Sequence, residues 1–267
     1  MVPMQADLPS GAQDFAFVEH FADGRPPALR ARALAQEAPV AIEINGLGYA
    51  VMMATPTDLE DYALGFCLSE QLIADVAGFD SAQAAQIDGR GWILRITLAV
   101  AEAAPLMERA RLRLSEGSCG LCGIESLDQV LRPLPQVTAR LAVADEAIFR
   151  AAAQLRDQQV LGRATRATHA AAFCTADGAV AMVREDVGRH NAFDKLVGAM
   201  ARAGLAPSAG FVVLTARCSY ELVQKAVIAG VPLLVTVSAA STLAAERAKA
   251  HGLRLASLAR DDSFLES

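Results

Sequence analysis

The chain has 267 residues, 53% of them apolar, which is enough to fill one large or two modest globular cores. Its 24 Lys and Arg residues against 30 Asp and Glu residues give a net charge of −6, which excludes a general nucleic-acid surface, because such a surface needs a clustered basic face. The five cysteines, the lack of a signal-like opening segment and the lack of a long uncharged apolar run predict a reduced, cytoplasmic protein without a membrane-spanning helix.

The N-terminal residues predict a tail followed by a β-hairpin. Residues 1–36 are rich in Ala, Pro, Gly and charged side chains and show no sustained period, so we expect a mobile tail. Apolar residues alternate over 40–44, the turn dipeptide Asn45-Gly46 follows, and residues 49–53 run back. This pattern is typical of two antiparallel strands joined by a tight turn.

A helix, a strand and a second, short helix are expected next. Thr57 and Glu60 have the spacing of a capping box, and apolar residues at helical spacing continue as far as Ile73. Residues 92–98 alternate like a strand, and residues 126–131 predict a short helix that is ended by prolines.

The second half of the sequence predicts an α/β sheet. We expect a long Ala-rich helix at 145–161, two strands at 169–174 and 179–183, and a helix at 187–200. Apolar runs then alternate with helical patterns: 211–214, 220–228, 233–237, 242–250 and 253–258. Such alternation is typical of a parallel sheet covered on both faces, in which ligands bind at the carboxyl ends of the strands.

The segment 116–123 carries two thiols, Cys119 and Cys122, among three glycines. A structural zinc site needs four ligands, and the other three cysteines and His169 are isolated, so zinc requires an unobvious tertiary arrangement. A thioredoxin-like site requires a long helix after the pair, and prolines limit the helix here. A sulfur carrier needs a reachable thiolate on a pliant loop, which the glycines favour.

The expected carboxyl ends of the strands are rich in polar residues. Ser219 and Ser241 lie where helix N-caps belong, and a helix N-terminus attracts phosphate. Arg217 and Arg260 add side chains suited to phosphate or to a purine edge. The alternative is that the serines only cap helices and the arginines only face solvent.

The segment 184–195 is dense in polar residues at the start of a helix. Asp186 is a candidate cap, and Arg189, His190 and Lys195 project from the first turns, which indicates a ligand-facing helix end. The alternative is an intramolecular salt-bridge cluster. His169 lies in an apolar run and is interpreted as a core histidine with its own hydrogen bonds.

Five motifs, in order within residues 39–260, together resemble the formate dehydrogenase accessory sulfurtransferase family, FdhD. The motifs are 118–123, 168–172, 184–192, 218–225 and 232–239. The resemblance implies a cytoplasmic homodimer with a cytidine-deaminase-like α/β fold. It implies that sulfur is taken from a cysteine desulfurase and delivered to molybdenum bis(molybdopterin guanine dinucleotide) before that cofactor enters formate dehydrogenase, with no nucleic-acid or membrane partner.

The resemblance also assigns roles to residues. Cys119 matches the cysteine that carries the persulfide, and Cys122 matches its companion thiol. The family's cofactor-binding segment matches Leu258, Ala259, Arg260, Asp261, Asp262 and Ser263. The phosphates of the cofactor, and GDP as its fragment, are expected near Arg189, His190, Arg217, Ser219 and Ser241. The chain departs from the family where Ser257-Leu258 replaces Gly-Phe and where Ala216, not glycine, precedes Arg217.

The resulting domain hypothesis divides the ordered chain into an α+β part at 37–140, which carries the cysteine loop, and an α/β cofactor-binding domain at 141–267.

A zinc deaminase would pair H-x-E with a later P-C-x-x-C, but here Ala170 and Ala171 follow His169, so the proton-shuttling glutamate is missing. A chaperone that binds the cofactor without sulfur transfer stays open.

Overall fold

The computed structural model describes residues 8–99 and 133–267, and these residues form three β-sheets. The strands are β1 (Ala12–Glu19), β2 (Ala28–Ala35), β3 (Ala38–Ile44), β4 (Leu47–Ala54), β5 (Phe79–Ile87), β6 (Gly91–Leu98), β7 (His169–Thr175), β8 (Val180–Asp186), β9 (Gly210–Leu214), β10 (Leu233–Thr236), β11 (Arg254–Ser257) and β12 (Leu265–Glu266). The α-helices are α1 (Leu59–Ser69), α2 (Asp145–Gln158), α3 (Val160–Thr165), α4 (Arg189–Arg202), α5 (Tyr220–Ile228) and α6 (Thr242–Ala250). Within the described ranges, none of these helices combines the length and the apolar character that a membrane crossing requires.

The first sheet is an antiparallel ribbon of β1 and β2, with Ala12 opposite Ala35 and Glu19 opposite Ala28. The expectation of a tail without regular structure differs from this finding over residues 12–35. The signal was weak in the sequence because six of the sixteen residues in these strands are alanines, whose apolar character is slight. The ribbon is largely exposed, and Ala33 is buried near its base.

The second sheet has the order β4-β3-β6-β5 and packs one face on α1. The predicted hairpin is confirmed, and Asn45 and Gly46 both adopt the positive φ angles that its tight turn requires. The capping box is wrong: the N-cap of α1 is Asp58, in a left-handed conformation and without a side-chain cap. The helix ends at Ser69, so Ile73 belongs to the core of this sheet from the segment that follows the helix.

The third sheet has the order β12-β11-β10-β9-β7-β8, and it confirms the predicted α/β class. Strands β9, β10 and β11 are parallel, whereas β7 runs antiparallel to both of its neighbours. Alternate strand residues point to opposite faces, so Val212 and Leu214 pack on α4, α5 and α6 while Phe211 and Val213 pack on α2. The sheet is therefore covered on both faces, as the sequence predicted.

Two predicted helices have different bounds in the structure. The helix expected at 145–161 is two helices, α2 and α3, which meet at Gln159. Helix α4 begins at Arg189 with Gly188 as N-cap, and Asp186 instead accepts a hydrogen bond from the Gly188 N–H (2.7 Å). The predicted helix at 126–131 lies outside the described residues.

Helices α1 and α4 join the second and third sheets through a close crossing. A Cβ atom added at Gly65 would overlap the Asp194 carbonyl oxygen, and one at Gly198 would overlap the Asp61 carbonyl oxygen. The two helix backbones are therefore in direct contact, which only glycine at both positions allows. The division of the chain at residue 140 stays a prediction.

Candidate functional site

The strands β8, β9, β10 and β11 all end at the same edge of the third sheet, because β7 is antiparallel to both β8 and β9. Four connecting segments lie there: residues 186–190, 215–219, 237–241 and 258–263. We call this the carboxyl edge. It brings together the strand ends that the sequence singled out, together with the start of β7 at His169.

Hydrogen bonds join three of these segments to one another. The Cys218 N–H donates to the Ala239 carbonyl (3.0 Å), and the Ser241 N–H donates to the Cys218 carbonyl (3.0 Å). The Leu258 N–H donates to the Ser238 carbonyl (3.2 Å). The carboxyl edge is therefore a backbone framework that fixes the relative positions of the side chains it carries.

The two serines that the sequence placed at N-caps act differently. Ser241 is the N-cap of α6, and its Oγ accepts a hydrogen bond from the Ala244 N–H (3.3 Å). Ser219 is the N-cap of α5 but makes no side-chain cap. Its Oγ donates to Glu221 Oε2 (3.2 Å) instead and lies 3.5 Å from His190 Nε2. Only Ser241 is thus a conventional cap.

Arg189 and His190 meet Glu221 at this edge. Glu221 Oε2 lies 3.1 Å from His190 Nε2 and 3.8 Å from Arg189 Nη2. Burial, followed by the charge of Arg189, lowers the pKa of His190 below its ordinary value. The sequence analysis did not single out Glu221. Its position in the first turn of a helix, directly after a strand end rich in polar residues, could have indicated it.

Two more basic residues, Arg217 and His169, lie at the carboxyl edge with Arg189 and His190. Arg217 is exposed and makes no hydrogen bond or ion pair with any described residue. His169 is half-buried, and burial, together with the charges of Arg189 and Arg217, lowers the pKa of its ring. The ring of His169 makes no hydrogen bond to a described residue, so its interpretation as a core histidine with its own partners stays a prediction.

The C-terminal segment 258–263 turns the chain away from β11. Leu258 has a φ angle of 53°, a left-handed conformation that is costly for a branched side chain. The Arg260 N–H donates to the Ser263 carbonyl (2.9 Å), and Asp261 forms an ion pair with Arg156 of α2. Asp262 accepts a hydrogen bond from Ser263 Oγ (3.1 Å), whereas Ala259 is buried. The Arg260 side chain is exposed and makes no hydrogen bond or ion pair with a described residue.

The other polar side chains of the segment 184–195 point into the protein. Asp186 and Lys195 form an ion pair of 2.7 Å, and both side chains are fully buried. Asp186 also accepts hydrogen bonds from the Thr55 N–H (3.0 Å) and from Asn191 Nδ2 (3.0 Å). Arg184 donates to Asp61 on α1 (2.7 Å). The segment therefore contains intramolecular ion pairs, one of the two alternatives that the sequence left open, while Arg189 and His190 lie at the carboxyl edge.

A second buried ion pair lies beneath the carboxyl edge. Lys225 Nζ is 3.0 Å from both carboxylate oxygens of Asp194 and 2.9 Å from Glu70 Oε1. Burial raises the pKa of Asp194 to about 6. Burial alone would lower the pKa of Lys225. The nearby carboxylates of Asp194 and Glu70 raise this pKa by more, so the net shift is upward. This cluster fastens α1, α4 and α5 to one another.

The described cysteines do not supply a reactive thiolate. Cys67, Cys174 and Cys218 are buried, and burial raises the pKa of each thiol to about 12. At neutral pH these thiols are protonated and inert. Cys119 and Cys122 lie outside the described residues.

The carboxyl edge is suited to an anion that carries several charges. Arg189 and His190 lie within 3.8 Å of the exposed Glu221 carboxylate, the charges of Arg189 and Arg217 act on the His169 ring, and α5 and α6 both begin there. Guanidinium groups and helix N-termini bind phosphate through charge-assisted hydrogen bonds. The edge therefore has the chemistry of a phosphate-binding surface in a chain of net negative charge.

The sequence and the fold both match known proteins. The sequence profile of the FdhD/NarQ family matches residues 35–265. Proteins named "Sulfur carrier protein FdhD" from Variovorax paradoxus (strain S110) and Bordetella bronchiseptica are 47% and 42% identical, over 87% and 85% of this chain and 83% and 82% of their own lengths. A crystal structure of a candidate formate dehydrogenase accessory protein from Desulfotalea psychrophila superposes with a TM-score of 0.74 over 96% of both chains, and its 20% identity shows the fold alone. The chain belongs to the FdhD/NarQ family.

Proposed function

We propose that this protein is a sulfur carrier that serves the maturation of formate dehydrogenase. The observation that carries the proposal is family membership, with relatives of 47% and 42% identity that bear the name sulfur carrier protein. The inert state of the three described cysteines supports it further, because it leaves the carrier role to the remaining pair, Cys119 and Cys122.

In the loading step, the Cys119 thiolate attacks the outer sulfur of a persulfide on a cysteine desulfurase. A new S–S bond forms at Cys119 while the donor S–S bond breaks, and the donor cysteine leaves as a thiolate, so no external oxidant or reductant is needed. Cys122 is the companion thiol. It shields the persulfide, or its thiolate attacks the inner sulfur of the Cys119 persulfide. That attack forms a Cys119–Cys122 disulfide and releases the outer sulfur as H₂S.

The acceptor of the sulfur is molybdenum bis(molybdopterin guanine dinucleotide), which binds as a substrate at the carboxyl edge. Its phosphates fit the basic side chains there: Arg189, His190, Arg217 and Arg260. Ser219, Ser241 and the segment 258–263 complete the surface, and GDP is the fragment that tests it. In this function the protein acts in the cytoplasm as a homodimer.

The decisive experiment is to measure protein-bound persulfide after incubation with a desulfurase and cysteine. Cys119→Ala is expected to abolish the persulfide, and Cys122→Ala is expected to retain it. Cys174→Ala is the matched control, because it removes a buried thiol and should load like the parent protein. A Cys119→Ala variant that still loads sulfur and activates formate dehydrogenase would contradict the assignment.

A second measurement separates sulfur transfer from a binding-only chaperone. The double variant Cys119→Ala and Cys122→Ala is expected to bind GDP like the parent protein but to leave formate dehydrogenase inactive. Restored dehydrogenase activity with this variant would show that the chaperone role suffices.

A further inference from the structure

Glu221 has an unusual position for the first acidic residue of a helix. A carboxylate at a helix N-terminus commonly accepts hydrogen bonds from free backbone N–H groups. Glu221 makes no such bond with the described backbone. Its Oε2 atom instead contacts His190 (3.1 Å), Ser219 Oγ (3.2 Å) and Arg189 (3.8 Å). The side chain is therefore directed at the groups that face the carboxyl edge.

The exposed fractions of the three side chains indicate which of them has room to rotate into solvent. Glu221 is 59% exposed, whereas His190 and Arg189 are 28% and 34% exposed. The backbone of His190 and Arg189 lies in the turn that buried Asp186 holds through the Gly188 N–H (2.7 Å). A rotation of Glu221 into solvent would thus uncover the basic groups and leave their positions unchanged.

We propose that Glu221 is a built-in counter-ion that occupies the phosphate position between Arg189 and His190 until an anionic ligand displaces it. The inference rests on the proposed cofactor role of this edge and adds a specific residue to it. Two negative charges cannot share this position without strong repulsion, so each bound phosphate must first break the Glu221 contacts. Glu221 therefore lowers the affinity for every anion, and an anion of high charge, such as a nucleoside diphosphate, overcomes this cost best.

The test compares Glu221→Gln with the parent protein by calorimetric titration with GDP and with inorganic diphosphate. Glutamine keeps the size of the side chain but removes the charge. We expect both ligands to bind about fivefold more tightly to the variant, since an exposed ion pair has to be broken only in the parent protein. The gain should shrink at high salt, because salt screens exposed charges.

Glu246→Gln is the matched control, since Glu246 is exposed on the neighbouring helix α6 and forms no ion pair with a described residue. It removes the same charge from the chain and is expected to leave both affinities unchanged. Unchanged or weaker GDP binding by Glu221→Gln would overturn the inference, as would an equal gain in both variants. A parent protein that binds neither ligand would overturn the proposed cofactor site itself, and with it this role of Glu221.

Discussion

The buried ion pairs of α4 and the carboxyl edge both involve several charged side chains, yet they differ in how the charges are compensated. In the interior, Lys195 of α4 and Asp186 lie 2.7 Å apart with no exposure, and Lys225 of α5 lies 3.0 Å from Asp194 of α4. At the edge, Arg189 and His190 share the exposed carboxylate of Glu221, and Arg217 makes no ion pair with a described residue.

This contrast separates charges that are fixed inside the fold from charges that stay accessible to solvent. A buried charge needs a fixed partner, because its desolvation is otherwise uncompensated. A half-exposed charge keeps part of its hydration and remains available to an incoming anion. One short stretch of sequence, 184–195, supplies both kinds, since Asp186 and Lys195 are fully buried whereas Arg189 and His190 are partly exposed at the edge.

The strongest test of this contrast is Lys195→Met, which leaves Asp186 charged and unpaired in the interior. We expect the free energy of unfolding, measured by urea denaturation, to fall by about 3–5 kcal/mol. Lys249→Met is the control, because Lys249 is exposed on α6, and it should change the value by less than about 0.5 kcal/mol. Equal effects of the two substitutions would break the distinction between interior and edge.

Arg217→Gln tests the charges at the carboxyl edge. Because Arg217 has no partner among the described residues, its loss should leave the free energy of unfolding within about 0.5 kcal/mol of the parent value. GDP affinity, measured by calorimetry, should fall about tenfold, the cost of one charge-assisted contact. Arg90→Gln, at an exposed turn in the second sheet, should change neither quantity. A lower free energy of unfolding with unchanged GDP affinity would show that Arg217 stabilises the fold and does not bind the ligand.

The smallest expected effect is a pH dependence of GDP binding. In the free protein the pKa values of His169 and His190 are lowered, chiefly by burial and then by Arg189. Arg217 and Asp186 also act on His169, and Glu221 and Lys225 act on His190. Bound phosphate favours the charged imidazole and raises both pKa values, so binding takes up protons.

GDP affinity should therefore rise about threefold as the pH falls from about 8 to 6.5. Calorimetry in buffers of different ionisation enthalpy measures the proton uptake directly. His169→Gln should reduce that uptake. Release of protons on binding would contradict the placement of the phosphates beside these rings.

The order of the elements in the third sheet was predictable, but the neighbours of its edge residues were not. Apolar runs alternating with helical patterns after residue 210 predicted β9, β10 and β11 correctly, because continuous burial leaves a local signature. The position of His169 at the carboxyl edge depends on the antiparallel pairing of β7 with β9, which places the start of β7 beside the end of β9. That pairing is a long-range choice with no local signal.

The capping box at Thr57 and Glu60 failed for a related reason. The side chain of Thr57 lies 3.5 Å from Lys195 Nζ, and the Thr55 carbonyl accepts a hydrogen bond from the same ammonium group (2.9 Å). A buried cation from a distant helix thus engages Thr57, and the other residue of the expected box, Glu60, forms an ion pair with Arg202. The ribbon β1–β2 was missed because its sequence pattern is weak, not because a distant contact overrides it.

The hydrogen bond from the Thr55 N–H to Asp186 and that from Asn191 to the Met53 carbonyl (2.8 Å) have a practical consequence. They tie the end of β4 to the turn that presents Arg189 and His190. The N-terminal sheet therefore cannot be exchanged on its own: a chimera that imported this sheet from a distant homologue would also change the positions of Arg189 and His190 at the carboxyl edge.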